Sequence, residues 1–180
     1  MTTWIMLFRG INVGGNNLLP MKDLVEELEE IGCTSVKTYI QSGNVIFSKP
    51  GSKAPQLTKL IGKTILNRHG FEPKIHLLTV RELEKAVTSN PFPDAEEEPK
   101  SLHLFFLSKK PKPLKSESFD KIKAGSENYF LNENMFYLHT PDGFGRSKLA
   151  AKTEKLLGVD VTARNWRTVL KLLELANRNE

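Results

Sequence analysis

Apolar residues fall along this chain in short blocks whose spacing alternates between strand-like and helix-like periods. Residues 3–8 are almost continuously apolar and stop at Arg9-Gly10, the pattern of a short strand buried on both faces. A Gly/Asn-rich loop follows from Gly10 to Pro20. Leu24, Val25, Leu28 and Ile31 then recur at helical spacing, with Pro20 suited to the first turn and Gly32 to the end. Val36–Ile40 and Val45–Phe47 read as strands, and Ser42-Gly43-Asn44 between them has the chemistry of a hairpin turn. Leu57, Leu60, Ile61 and Ile65 predict a second helix that closes near Gly70, and Lys74–Leu78 a fourth strand. Thr79 and Glu82 form a capping-box pattern ahead of Leu83, Ala86 and Val87.

The same order then recurs. An acidic stretch, Asp94 to Glu98 between Pro93 and Pro99, reads as a linker. Leu102–Leu107 is a buried strand, and Phe119 and Ile122 support a short helix. Tyr129–Leu131 and Phe136–Leu138 flank Asn132-Glu133-Asn134 as a hairpin. Ser147 can cap a helix carrying Leu149, Ala150, Leu156 and Leu157. Val159–Val161 reads as a short strand, and Asn165 can cap a last helix with Val169, Leu172, Leu173 and Ala176. The pattern predicts an α+β protein of two tandem ferredoxin-like (βαββαβ) subdomains, each with a trailing helix. The expected division is residues 1–92, a linker at 93–100, and residues 101–180.

Composition narrows the function classes. The 180 residues carry 26 Lys+Arg against 21 Asp+Glu, a net charge of +5. A pI near 9.3 favours anionic partners. The basic residues are spread, apart from Lys109, Lys110, Lys112 and Lys115, which Pro111 and Pro113 interrupt. That cluster reads as a solvated connection. One cysteine excludes an intramolecular disulfide framework and a zinc ribbon, and Cys33 reads as a buried apolar residue. The run Trp4–Phe8 is far shorter than the ~20 residues of a membrane span and lacks a basic leader and cleavage site. The expected location is the cytoplasm, with no membrane partner.

In a ferredoxin-like sheet the strand order is 4-1-3-2, which sets the end of the first strand beside the second–third hairpin. Arg9, Asn12, Gly14 and Gly15 are therefore expected near Gln41, Ser42 and Asn44. Glycine lets backbone approach a ligand closely, and N–H groups in such turns can hold an anion. In the second half, Arg146, Ser147 and Lys148 enter one helix, and Arg164, Asn165 and Trp166 enter another. Arg and Lys at helix N-termini suit a carboxylate or phosphate. The glycine spacing matches neither GxGxxG nor GxxxxGK[ST], so no nucleotide cofactor is implied. His69, His76, His103 and His139 lack the spacing of a helical zinc motif, and no metal is expected. Glu26, Glu27, Glu29 and Glu30 read as the solvated face of a helix. No pattern marks a catalytic group.

Three functions fit this reading. The first is a protein that binds a small anionic or phosphorylated ligand at the loop edges. The second is an RNA or nucleic-acid binding module, favoured by pI and topology but lacking the aromatic-rich RNP1 strand of an RRM. The third is a non-catalytic protein-interaction module.

Several blocks occur in order along almost the whole chain: Phe8-Arg9-Gly10-Ile11-Asn12-Val13-Gly14-Gly15, Tyr39-Ile40-Gln41-Ser42-Gly43-Asn44-Val45-Ile46-Phe47, Asn90-Pro91-Phe92, Gly145-Arg146-Ser147-Lys148 and Arg164-Asn165-Trp166. With them the chain resembles the bacterial family known as domain of unknown function 1697. Ala163 stands where the family often has a second Thr, and Arg167 where it has Asn. The resemblance implies two ferredoxin-like subdomains and no established activity, substrate or cofactor.

Overall fold

A computed structural model describes residues 1–41 and 43–179. The chain divides into two compact units, Met1–Lys85 together with Lys171–Glu180, and Ala86–Leu170.

The first unit holds β1 (Thr3–Arg9), α1 (Met21–Glu30), β2 (Thr34–Tyr39), β3 (Asn44–Ser48), α2 (Ala54–His69), β4 (Lys74–Thr79) and the start of α3 (Val80–Thr88). The sheet order is β2-β3-β1-β4, all neighbours antiparallel, as the ferredoxin-like reading requires. β1 is central, and its period of two sends Trp4, Met6 and Phe8 into a core with Leu24, Leu28, Val45, Phe47 and Ile61. Ile5 and Leu7 on its other face are also fully buried, which explains the unbroken apolar run.

Local chemistry sets the element ends. The Thr79 N–H and hydroxyl both donate to Glu82 Oε2, at 2.7 and 2.9 Å, and the Glu82 N–H returns to Thr79 Oγ1, so the expected capping box starts α3. Gly70 ends α2 at φ 77°. Pro20 lies one position outside α1 rather than in its first turn, where its carbonyl accepts the Leu24 N–H. β2 starts at Thr34, earlier than expected, because a bulge between Thr34 and Lys37 carries the pairing past a left-handed Ser35.

The second unit holds the end of α3, β5 (Leu102–Leu107), α4 (Ser116–Asp120), β6 (Asn128–Asn132), β7 (Met135–His139), α5 (Lys148–Leu157), β8 (Val161–Asn165) and the start of α6 (Trp166–Asn177). Its sheet repeats the topology, in the order β6-β7-β5-β8. Phe105, Phe119, Phe136 and Leu138 pack with Leu149 and Leu157 of α5. The acidic stretch expected as a plain linker forms a 3-10 helix, Pro93–Glu97, with Ala95 buried and the Asn90 amide on Glu96 Oε1 at 2.7 Å.

The fourth strand of this unit corrects the reading of Val159–Val161. β8 begins at Val161 and runs through Thr162, Ala163, Arg164 and Asn165, pairing with β5 from Leu107 back to His103. Polar side chains hid a strand that long-range pairing creates. Both expected caps hold: Ser147 Oγ accepts the Ala150 N–H and Asn165 Oδ1 the Thr168 N–H, each at 2.9 Å.

Candidate functional site

The Gly10–Pro20 loop is an ordered structure built on side-chain amides. Gly14 and Gly15, at φ 59° and 77°, form a turn closed by the Asn16 N–H on the Val13 carbonyl at 3.1 Å. The Asn12 N–H bonds the Asn17 carbonyl, and Asn17 Nδ2 bonds the Gly10 carbonyl at 2.9 Å. Asn12 then ties this loop to its surroundings. Its Nδ2 donates to the carbonyls of Leu19 at 2.9 Å and Gln41 at 3.1 Å, and its Oδ1 accepts the Leu19 N–H at 2.8 Å.

The facing hairpin is held as firmly. The buried Asn44 amide donates to the Tyr39 carbonyl at 3.1 Å. Gly43 lies at φ 73°, where an added Cβ would come within 2.6 Å of Phe8 Cβ and Ile11 Cδ1. Its carbonyl accepts the Phe8 N–H at 2.8 Å. Of the expected residues, the structure bonds Asn12 to Gln41 across this edge, while Arg9 ends β1, Asn44 opens β3, and Gly14 and Gly15 lie exposed in the turn of the loop. Ser42 lies outside the described residues. Arg9 faces Lys74 directly across the β1–β4 pair.

Two features of this edge escape the sequence patterns. Ile40 has φ 51°, a left-handed conformation that is an outlier for a β-branched residue. Ile40, Val13 and Leu18 are also exposed, at 54%, 67% and 63%. A β-branched residue just before Gln-Ser-Gly carries no local sign of the strain, because the Asn12–Gln41 bond that helps hold it spans 29 positions.

The second group of expected residues is less convergent. Ser147 and Asn165 are occupied as helix caps. Arg146 and Lys148 are exposed at the start of α5. Arg164 lies within β8 rather than after it, opposite Leu104, and its Nη1 donates to the Ala163 carbonyl at 2.8 Å. Burial draws its guanidinium down to about 10, so it stays charged at neutral pH. Trp166 is fully buried.

Two further ionisable groups, Glu27 and His103, stand in settings the sequence did not mark, and Cys33 is buried as expected. Glu27, expected on a solvated helix face, is buried and meets His69 Nε2 at 2.6 Å across α1 and α2. Its second oxygen meets no donor among the described residues. His103 stacks on Phe144 with ring centroids 3.7 Å apart, and burial lowers its pKa to about 4. Burial also raises the Cys33 thiol to about 11, against a smaller opposing effect of Lys49, as suits a core thiol. Among the described residues no group of three or more His, Cys, Asp or Glu is arranged to hold a metal ion, and no helix is long and apolar enough to cross a membrane.

A family model described as "Protein of unknown function (DUF1697)" matches residues 1–137. No curated protein matches the chain. Among solved structures, the chain is similar to the conserved bacterial protein SP0830 from Streptococcus pneumoniae, with 22% identity and a TM-score of 0.73, covering 97% of this chain and 98% of that one. At this identity the likeness establishes a shared fold.

Proposed function

The chain belongs to the DUF1697 family of proteins of unknown function, and from that premise we propose that it binds a small anionic or phosphorylated ligand at the edge formed by the 10–20 loop and the 39–44 hairpin. The observation that carries this reading is the concentration of left-handed backbone there. Gly10, Asn12, Gly14, Gly15 and Asn17 are joined by Ile40 and Gly43 from the facing turn. Such conformations cost on the order of 1–3 kcal/mol at non-glycine residues and persist where the surroundings over-determine them, commonly at ligand clamps. The Asn12 bonds supply that over-determination.

Charge supports an anion. Arg9 and Lys74 stand directly opposite each other, which places two basic side chains at the end of β1. In this reading Arg9 supplies charge-assisted hydrogen bonds, the glycine turn lets backbone approach the ligand, and Gln41 and Asn44 border it, with Ser42, expected beside them, outside the described residues. Arg146, Ser147 and Lys148 at the start of α5, and Arg164, Asn165 and Trp166 at the end of β8 and the start of α6, are kept as a secondary candidate group.

The experiment is a thermal-shift screen of phosphorylated metabolites at millimolar concentration, since a ligand that binds the native state must raise its melting temperature. A shift that disappears in Arg9→Gln but persists in Arg146→Gln supports the reading. A shift lost only in Arg146→Gln moves the site to the second edge, and no shift with any compound removes it.

A further inference from the structure

The second unit carries a feature unrelated to that loop edge. In the order β6-β7-β5-β8, β6 is an edge strand. Edge strands present unpaired N–H and C=O groups, and proteins blunt them with bulges, charges or proline. β2, the corresponding edge of the first unit, is blunted by its bulge and by Lys37. β6 has neither device. Its sequence, Asn-Tyr-Phe-Leu-Asn, is uncharged, and it pairs with β7 in unbroken register from Asn128↔His139 to Asn132↔Met135. Phe130 at its centre is 47% exposed.

Beside this edge runs the lysine–proline segment. Lys110, Pro111, Lys112 and Pro113 line one side of an open cleft of about 280 Å³, and Leu131 and Glu133 line the other. No backbone hydrogen bond joins the segment to β6 among the described residues. Pro111 and Pro113 lack N–H groups, so at those positions the segment has no donor to offer the strand. The cleft therefore sets Leu131 of the edge strand against Lys110 and Lys112, with Glu133 the one acidic residue in its lining, and Lys109 and Lys115 flank the segment in sequence.

We infer that β6 and the 109–115 segment form a docking groove for an extended acidic peptide segment of another protein, which adds to the sheet as a strand. Main-chain bonds to β6 supply affinity, and the lysines select carboxylate-bearing side chains. Charge complementarity decides the occupant. A second copy of this edge would bring its own lysines against these and be repelled.

The test uses the full-length protein and a fluorescein-labelled peptide of alternating Glu and Val. The expected result is saturable binding at low salt, with hydrogen exchange slowed at residues 128–132. Lys110→Glu with Lys112→Glu, both at exposed positions, should weaken binding about tenfold or more. A peptide N-methylated along one edge keeps its charges but loses its donors, and should bind about 100-fold more weakly if several main-chain bonds are lost. Four outcomes overturn the inference. These are no binding at millimolar peptide, equal affinity for the N-methylated peptide, protection at residues 9–20 instead of 128–132, and tighter binding of polyuridylate with the same lysine dependence. The two lysines lie outside the 10–20 loop, so failure here leaves the anion reading standing, and the reverse also holds.

Discussion

Asn12 Nδ2 donates to the Gln41 carbonyl at 3.1 Å, joining two loops 29 positions apart. The same side chain bonds Leu19 twice, so one amide ties the 10–20 loop to the buried Leu19 just before α1 and to the hairpin. An asparagine in a glycine-rich loop suits ligand contact when read alone. Here its amide is also committed to the protein's own backbone.

Asn12→Ala should therefore lower stability by about 2 kcal/mol, because it leaves partly buried backbone groups unpaired. Urea denaturation measures this. A loss below a few tenths of a kcal/mol would show that the loop is held by other means.

Ile40→Gly should raise stability by up to about 1 kcal/mol, since glycine adopts φ 51° without a Cβ penalty and the Ile side chain is 54% exposed. The same substitution should weaken any ligand shift found in the metabolite screen. Destabilisation would mean that the Ile40 side chain is worth more than its strained backbone costs.

His69→Ala should cost about 3 kcal/mol by leaving the Glu27 carboxylate buried without its partner. Adding Glu27→Leu should recover most of that loss, because the uncompensated charge is then gone. Equal stability of single and double variants would contradict this account.

Burial lowers His103 to about 4 from an ordinary 6.5. Between those values the unfolded chain binds more protons than the folded one, so stability rises with pH across that window and its contribution is flat above it. The drop from pH 7 to pH 4 from this group is on the order of 3 kcal/mol. His139 is shifted in the same direction by burial. Chemical denaturation at pH 7, 5 and 4 should show the decline, and His103→Phe should reduce it.

Cys33 should react with iodoacetamide at pH 8 about 100-fold more slowly in the native protein than after denaturation, because its thiol is buried and its pKa is raised to about 11. Fast native labelling would place the thiol nearer the surface.

The parts of the fold that were legible early share one cause. The apolar periods at Trp4–Phe8 and Leu102–Leu107, the Thr79/Glu82 box and the caps at Ser147 and Asn165 are local, and local chemistry is written in adjacent residues. The misreadings share another. β8 is a strand because β5 pairs with it, not because Thr162, Arg164 and Asn165 favour one. Glu27 reads as solvated beside Glu26, Glu29 and Glu30, and only the packing of α2 against α1 brings His69 to it.

The sequence by itself determined the element order, the repeated βαββαβ topology and which loops share an edge, because burial periodicity and capping act over a few residues. Only the tertiary structure decided which polar groups are spent internally. It committed the Asn12, Asn17 and Asn44 amides to backbone carbonyls and strained Ile40. It also set Arg164 within a strand and left β6 as a plain edge beside a lysine-rich cleft. A polar side chain's role depends on the donor or acceptor nearest in space, and that neighbour is chosen by contacts between distant parts of the chain.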